Sequence, residues 1–383
     1  MEKQRSNNIK KVFFYLLVIG LCVPLIQYFT HFSNEKALKG AIVEPAIPVL
    51  KLDSLNNGAF QEQYDRYFNE KFGFRSSFIR LHNQLKYWMF NKAQANGVII
   101  GKEGYLYEYN YIKAYYGHDF IGEDSIQKNV NRLLYIQETL KSMNKTLIVV
   151  LAPGKGSYYP AYFPDSCKTK VGKTNYVTYL KELRKQKVVH LDLKSWFLKM
   201  KKTSKYPLFA QSGIHWSKYG ELIAMDSLIK FMEKTTKKSF PQIKITSIEI
   251  SEENKDGDYD IGEGLNLMFQ TATFPMAYPK FEIKYPERNI HKTTFIADSY
   301  YWGSFNLGFS QSLFSNGKFW FYNNEVYPDH YKKPTLAADI DFKKEIAENE
   351  VIVLLSTDAN LSRFPFGFSE LFIKHFPPKK PIE

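Results

Sequence analysis

The sequence predicts an α/β fold: a mostly parallel sheet flanked by helices, preceded by an N-terminal transmembrane helix. Three observations point to it. Val12 to Phe29 is an 18-residue apolar run interrupted by Gly20, Pro24 and Gln27. Several β-rich apolar runs, Thr146–Leu151, Val188–Leu193, Thr293–Ala297 and Val351–Leu355, each end in a polar or glycine-containing loop, as buried parallel strands do. Segments of helical period lie between them, so strands and helices alternate and ligand groups gather at the strand carboxyl ends.

The N-terminal run is about the minimum needed to cross a hydrocarbon core of roughly 30 Å. Lys3, Arg5, Lys10 and Lys11 precede it, and the positive-inside bias then keeps the N-terminus cytoplasmic and carries the residues after about 30 across the membrane. A cleaved signal peptide is the alternative, but Val23 to Phe29 lacks a small-x-small cleavage pattern, and Leu21 before Cys22 is large for a lipoprotein site. The expected organisation is a cytoplasmic stub and anchor over 1–30, a connecting segment over 31–58 marked by Gly40, Pro45, Pro48 and Gly58, and a single domain over 59–383. That places the chain in the inner, cytoplasmic membrane as a single-pass protein, with its working domain facing the periplasm or outside.

Within the domain, Tyr64, Tyr67, Phe68 and Phe72, then Phe78, Leu81, Leu85, Trp88 and Met89, recur at helical spacing and predict two helices joined near Phe72–Arg75. Val98–Ile100, a turn at Gly101–Gly104 and Tyr105–Tyr107 predict a hairpin. Val130–Met143 reads as helix leading into the Thr146 strand, which ends at Ala152-Pro153-Gly154-Lys155-Gly156. Tyr176–Lys185 and the Val188 strand complete a βαβ unit, and another helix follows from Tyr219 to Met232.

Composition narrows the function. Hydrophobic residues are 44% and charged residues 24%, which excludes a disordered chain. The net charge of +13 favours acidic polysaccharide, anionic lipid or nucleic acid, and the absence of any nucleic-acid module or dense Lys/Arg block argues against the last. Aromatic residues are 16% of the chain, enough either to stack on sugar rings or simply to fill a core. Cys22 lies in the apolar run, so pairing with Cys167 is not expected. No His, Cys or carboxylate cluster has ligand spacing, and neither a metal nor an organic cofactor is expected.

Two places carry candidate chemistry. The strand Thr293–Ala297 breaks at Asp298-Ser299, which puts a serine at the top of the sheet in the position of a nucleophile; the same serine could instead cap the next helix. His215 precedes a helix starting near Ser217, in a loop free to approach Ser299 as general base, although a lone histidine is more often structural.

Together these stretches resemble the alginate O-acetyltransferase family of AlgJ and AlgX type, also described as the DHHW family, whose domains are SGNH-hydrolase-like, a flavodoxin-like parallel sheet. The resemblance runs over about 55 to 365 and rests on Tyr67–Arg75, Val98–Tyr107, His215-Trp216 and Ala297-Asp298-Ser299, with Pro153-Gly154-Lys155 similar to the family's Pro-x-Lys segment. It implies that Ser299 accepts an acetyl group and passes it to a polysaccharide hydroxyl with His215 as base. It also implies that a membrane-bound O-acyltransferase supplies the acetyl. One position departs from the family pattern: the aspartate two residues before the histidine is here Gly213. Asp298 or Asp358 could replace it, or the protein could be a non-catalytic carbohydrate-binding or assembly component. An acetyl esterase would use the same pair with water as acceptor. Trp216, Tyr300 and Tyr301, with Trp302, are candidates for an apolar rim that stacks on the acceptor, and Lys155 and Arg75 for binding an acidic one.

Overall fold

The structure is a computed structural model and describes residues 2–40, 45–271, 273–286, 291–380 and 382, without the side chains of 2–6. The side chains of Lys3 and Arg5 and residues 41–44 of the connecting segment lie outside the described residues. The chain forms two compact units, residues 1–96 with 262–270, and 97–261 with 271–383.

In the first unit, α1 (Glu2–Thr30) holds the apolar run, with Asn7–Thr30 long and apolar enough to cross a membrane. After a short helical turn at Leu52–Asn56 come α2 (Ala59–Lys71) and α3 (Arg75–Phe90), joined at Phe72–Phe74 as the periodicity predicts. Arg75 pairs with Glu70 at 2.8 Å across that joint, which anchors the turn.

The second unit opens with the predicted hairpin, β1 (Val98–Ile100) and β2 (Leu106–Glu108), then α4 (Tyr109–Tyr116) and α5 (Glu123–Ser142). There follow β3 (Thr146–Ala152), α6 (Asn175–Lys185), β4 (His190–Asp192), α7 (Leu193–Met200) and α8 (Lys218–Thr236). The remainder is β5 (Gln242–Ser251), β6 (Met276–Lys284), β7 (Thr293–Ala297), β8 (Phe319–Phe321), β9 (Glu325–Tyr327), α9 (Phe342–Glu348), β10 (Val351–Thr357) and α10 (Phe368–His375).

Six strands form the central sheet in the order β4-β3-β10-β7-β8-β9, parallel except for the β8–β9 pair. The β3, β7 and β10 strands are buried along almost their whole length, with apolar residues at their centres, because both faces of the sheet are covered. On one face Leu147, Val149, Leu151, Ile352 and Leu354 pack with Ile126, Val130, Leu133 and Ile136 of α5, whose spacing of three and four forms the buried stripe. Their alternates Ile148, Val150, Val353 and Leu355 are equally buried on the other. Register pairs Leu355 with Ala297 and Thr357 with Ala152, so three central strands end together. Pro153–Lys155, Asp298-Ser299 and Asp358 therefore emerge at one edge.

The antiparallel ribbon β5–β6, paired from Gln242↔Lys284 to Ser251↔Met276, was not anticipated. Its residues are largely half-exposed, so it lacks the continuous apolar run that marks a buried strand. Strands β8 and β9, three residues each, are too short for periodicity to reveal.

Candidate active site

Ser299 is placed by the end of β7 and the turn after it. Asp298 takes the capping role, its Oδ1 accepting from Tyr300 N at 3.1 Å, and the Ser299 hydroxyl is left free for another partner. That partner is His215, whose Nε2 lies 2.9 Å from Ser299 Oγ. The histidine loop is fixed from its far side: Ser217 caps α8 by accepting from Gly220 N at 2.9 Å.

The orienting carboxylate is Asp260. Its Oδ2 lies 2.5 Å from His215 Nδ1, and its Oδ1 accepts from Ile214 N at 2.9 Å and Ile261 N at 2.6 Å. An ionised carboxylate only accepts, so Nδ1 carries a proton and Nε2 is left to accept from the Ser299 hydroxyl. Burial of the ring opposes its positive charge, but the Asp260 carboxylate beside it, with Asp298 and Glu108 farther off, prevails and holds the His215 pKa above its ordinary value.

Asp298, expected as a possible orienting acid, is placed elsewhere. It is fully buried, and its Oδ2 accepts from Thr357 N and Thr357 Oγ1 at 2.8 Å each and Asn360 Nδ2 at 2.9 Å, tying the ends of β7 and β10 together. Asp358 is committed to Lys194 at 2.7 Å and to Ser157.

Gly213 shows why the acid comes from another segment. A Cβ there would lie 2.4 Å from the Gly257 carbonyl oxygen and 2.9 Å from the Asp258 carbonyl carbon. Only glycine lets the 257–258 backbone approach this closely, and that approach accompanies Asp260 reaching the histidine.

Residues 98–299 match the family described as SGNH hydrolase-like domain, acetyltransferase AlgX. The chain belongs to this family. The O-acetyltransferase domain of Pseudomonas putida AlgJ is similar in structure, with 16% identity over 70% of this chain and 92% of that one at a TM-score of 0.45. Pseudomonas aeruginosa AlgX shares 13% identity over 68% of this chain and 55% of its own, at 0.40. Bacillus cereus PatB1 shares 11% over 70% and 98%, at 0.41. No curated protein matches the sequence.

In this AlgX-family domain a cavity of about 470 Å³ opens onto Ser299 and His215 and is lined also by Trp216, Tyr300, Trp302 and Asp258. Trp216 and Tyr300 are almost fully buried, and the Tyr300 hydroxyl donates to Ile214 O at 2.8 Å, so they form the wall of the cavity rather than an exposed rim. Tyr301 stands apart from the lining: it is buried and stacked on Phe295 at 4.0 Å between ring centroids. Burial pushes the Asp258 carboxyl up to about 7.

Lys155 is not a surface cation for an acidic acceptor. It is fully buried, with Nζ donating to Gln211 O at 2.6 Å and Gly213 O at 2.7 Å, over the rings of Tyr105 and Tyr107. Its desolvation brings its pKa down to about 7. The role visible here is to clamp the loop leading to His215. Lys155→Met removes the donor to the buried Gly213 O and one of the two donors to Gln211 O, which keeps Leu106 N, and is expected to cost about 1–3 kcal/mol, read by denaturant unfolding.

Sequence reasoning missed Asp260, which lies 45 residues from His215. It also missed Tyr322, whose hydroxyl meets the Ser299 side chain and lies 3.4 Å from Asn360 Nδ2. Asp260 sits in a segment bracketed by the unread ribbon, and Tyr322 in a tight turn after a three-residue strand, so neither was flagged by periodicity or motif. Among the described residues no group of three or more His, Cys, Asp and Glu is arranged to hold a metal ion.

Proposed function

We propose that this chain is an O-acetyltransferase that carries acetyl on Ser299 and delivers it to a hydroxyl of a cell-envelope or exported polysaccharide. The observation that carries this reading is the continuous line of bonds from Asp260 through His215 to Ser299. Ser299 Oγ attacks the acetyl carbonyl while His215 Nε2 takes its proton; the donor's leaving group departs with that proton, leaving an acetyl ester on serine. A sugar hydroxyl then gives its proton to His215 and attacks the ester, and the proton returns to Ser299 as the acetyl leaves. Asp260 holds the ring and offsets its positive charge in both steps. Tyr322 is a hydroxyl donor beside the reacting serine and a candidate to stabilise the developing oxyanion.

In this reading residues 1–30 anchor the protein in the inner membrane, 31–58 tether it, and 59–383 work on the periplasmic or outer side. A membrane-bound O-acyltransferase supplies the acetyl. The apolar α1 and the acetyltransferase family to which the chain belongs support this arrangement.

The test is turnover of a chromogenic acetyl ester by the full chain in detergent, with and without an oligosaccharide acceptor. Wild type is expected to show a Ser299 peptide heavier by one acetyl group and acetylated oligosaccharide. Ser299→Ala and His215→Ala should each lower kcat by roughly 10⁴-fold or more. An acylated serine that discharges only to water would favour an acetyl esterase, and absence of both acylation and phosphonate labelling would end the catalytic reading. Rate against pH gives an independent check. The base must be neutral, so activity falls as pH drops through the His215 pKa, with an inflection above the ordinary imidazole value of about 6.5. Replacing Asp260 by asparagine should move that inflection down.

A further inference from the structure

Helix α3 is built inside out. Phe78, Leu81, Leu85, Trp88 and Met89 share one face and are 50%, 44%, 44%, 60% and 67% exposed. The opposite face carries Arg80, Asn83 and Gln84, and these are buried. Arg80 donates to Ala37 O at 2.8 Å and to Leu267 O at 3.3 Å; Asn83 donates to Leu265 O at 3.0 Å; Gln84 Oε1 accepts from Phe269 N at 2.9 Å. A helix facing water does the reverse.

We propose that this apolar face lies in the lipid bilayer at the interfacial level. The proposal rests on α1 being a retained membrane span. What covers the face is indicated by the packing within the same unit. The α2–α3 joint rests on the last turns of α1: a Cβ on Gly73 would lie 2.0 Å from Pro24 O, and the rings of Tyr28 and Phe68 are 6.5 Å apart. Just beyond α1, Glu35 accepts from Phe74 N at 2.8 Å and Ser77 N at 3.2 Å and so holds the start of α3. Pro24 lies six residues before the end of α1, about 9 Å along its axis at 1.5 Å per residue. That is the depth at which interfacial helices bury their apolar faces, roughly 5–10 Å into the headgroup and acyl boundary. Trp88 suits this level, and Lys86, with its ammonium 5.2 Å from the Phe90 ring centre, is long enough to reach the headgroups.

The experiment reads Trp88 directly, as the difference in emission between wild type and Trp88→Phe of the full chain in phosphatidylcholine vesicles. Lipid brominated high on the acyl chain should quench the Trp88 component roughly twofold or more, and lipid brominated near the chain end should quench it less, as an interfacial depth requires. Equal emission in brominated and plain lipid overturns the proposal and leaves water or a protein partner over the face. Phe13→Trp in the Trp88→Phe background reports on α1. If it is quenched while Trp88 is not, the span stands and only this inference fails. If it is unquenched, or intact mass shows residues 1–30 removed, the anchor reading fails and takes this inference with it.

Discussion

Asp260→Asn is expected to lower kcat/KM for acetyl-ester turnover by about 10⁴-fold, by analogy with the loss of the orienting acid in other serine triads. The physical reason is tautomeric. The aspartate accepts from three donors, Ile214 N, Ile261 N and His215 Nδ1. An asparagine that presents its amide to the ring moves the imidazole proton to Nε2, where it can no longer take a proton from Ser299. The substitution is nearly isosteric and Asp260 is only partly buried, so the folded state should persist, and thermal melting beside the rate separates the two effects. Activity within a few-fold of wild type would mean that another group orients the histidine.

Gly213→Asp places a carboxylate two residues before the histidine, and it is expected to inactivate the protein rather than improve it. The new Cβ would meet the Gly257 carbonyl oxygen at 2.4 Å, a contact with backbone that no rotamer relieves. Overpacking of this kind costs about 1–3 kcal/mol and displaces the turn that leads to Asp260. A second carboxylate beside Asp260 would also compete for one imidazole. The measurements are denaturant unfolding and ester turnover of Gly213→Asp and of the double variant with Asp260→Asn. Wild-type activity in the double variant would show that the acid can be relocated to 213, against the steric argument.

The sheet and its helices were legible because buried parallel strands and amphipathic helices write their surroundings into hydrophobic periodicity, as in Thr293–Ala297 and in the stripe from Ile126 to Leu140. Ser299 and His215 were legible because a strand end and a helix start fix their positions from local signals. Asp260 was not, since its partner is decided by tertiary approach across a glycine, which leaves no local pattern. Lys155 and Asp298 show the opposite error. Each has the chemistry expected at a site and the right place in the chain, yet both hold backbone, and only burial and hydrogen-bond partners tell a structural charge from a working one.

The Lys155 clamp has a kinetic consequence. Its ammonium joins the end of β3 to carbonyls 56 and 58 residues away, while Gln211 O also accepts from Leu106 N of the hairpin at 3.0 Å. Three segments distant in sequence must meet before the loop carrying His215 acquires its shape, and contacts of such separation form late in folding because chain entropy is lost before they repay it. A refolding molecule would therefore regain its sheet signal ahead of the contact between His215 and Ser299, with an interval in which the scaffold is complete and the His215 loop still wanders.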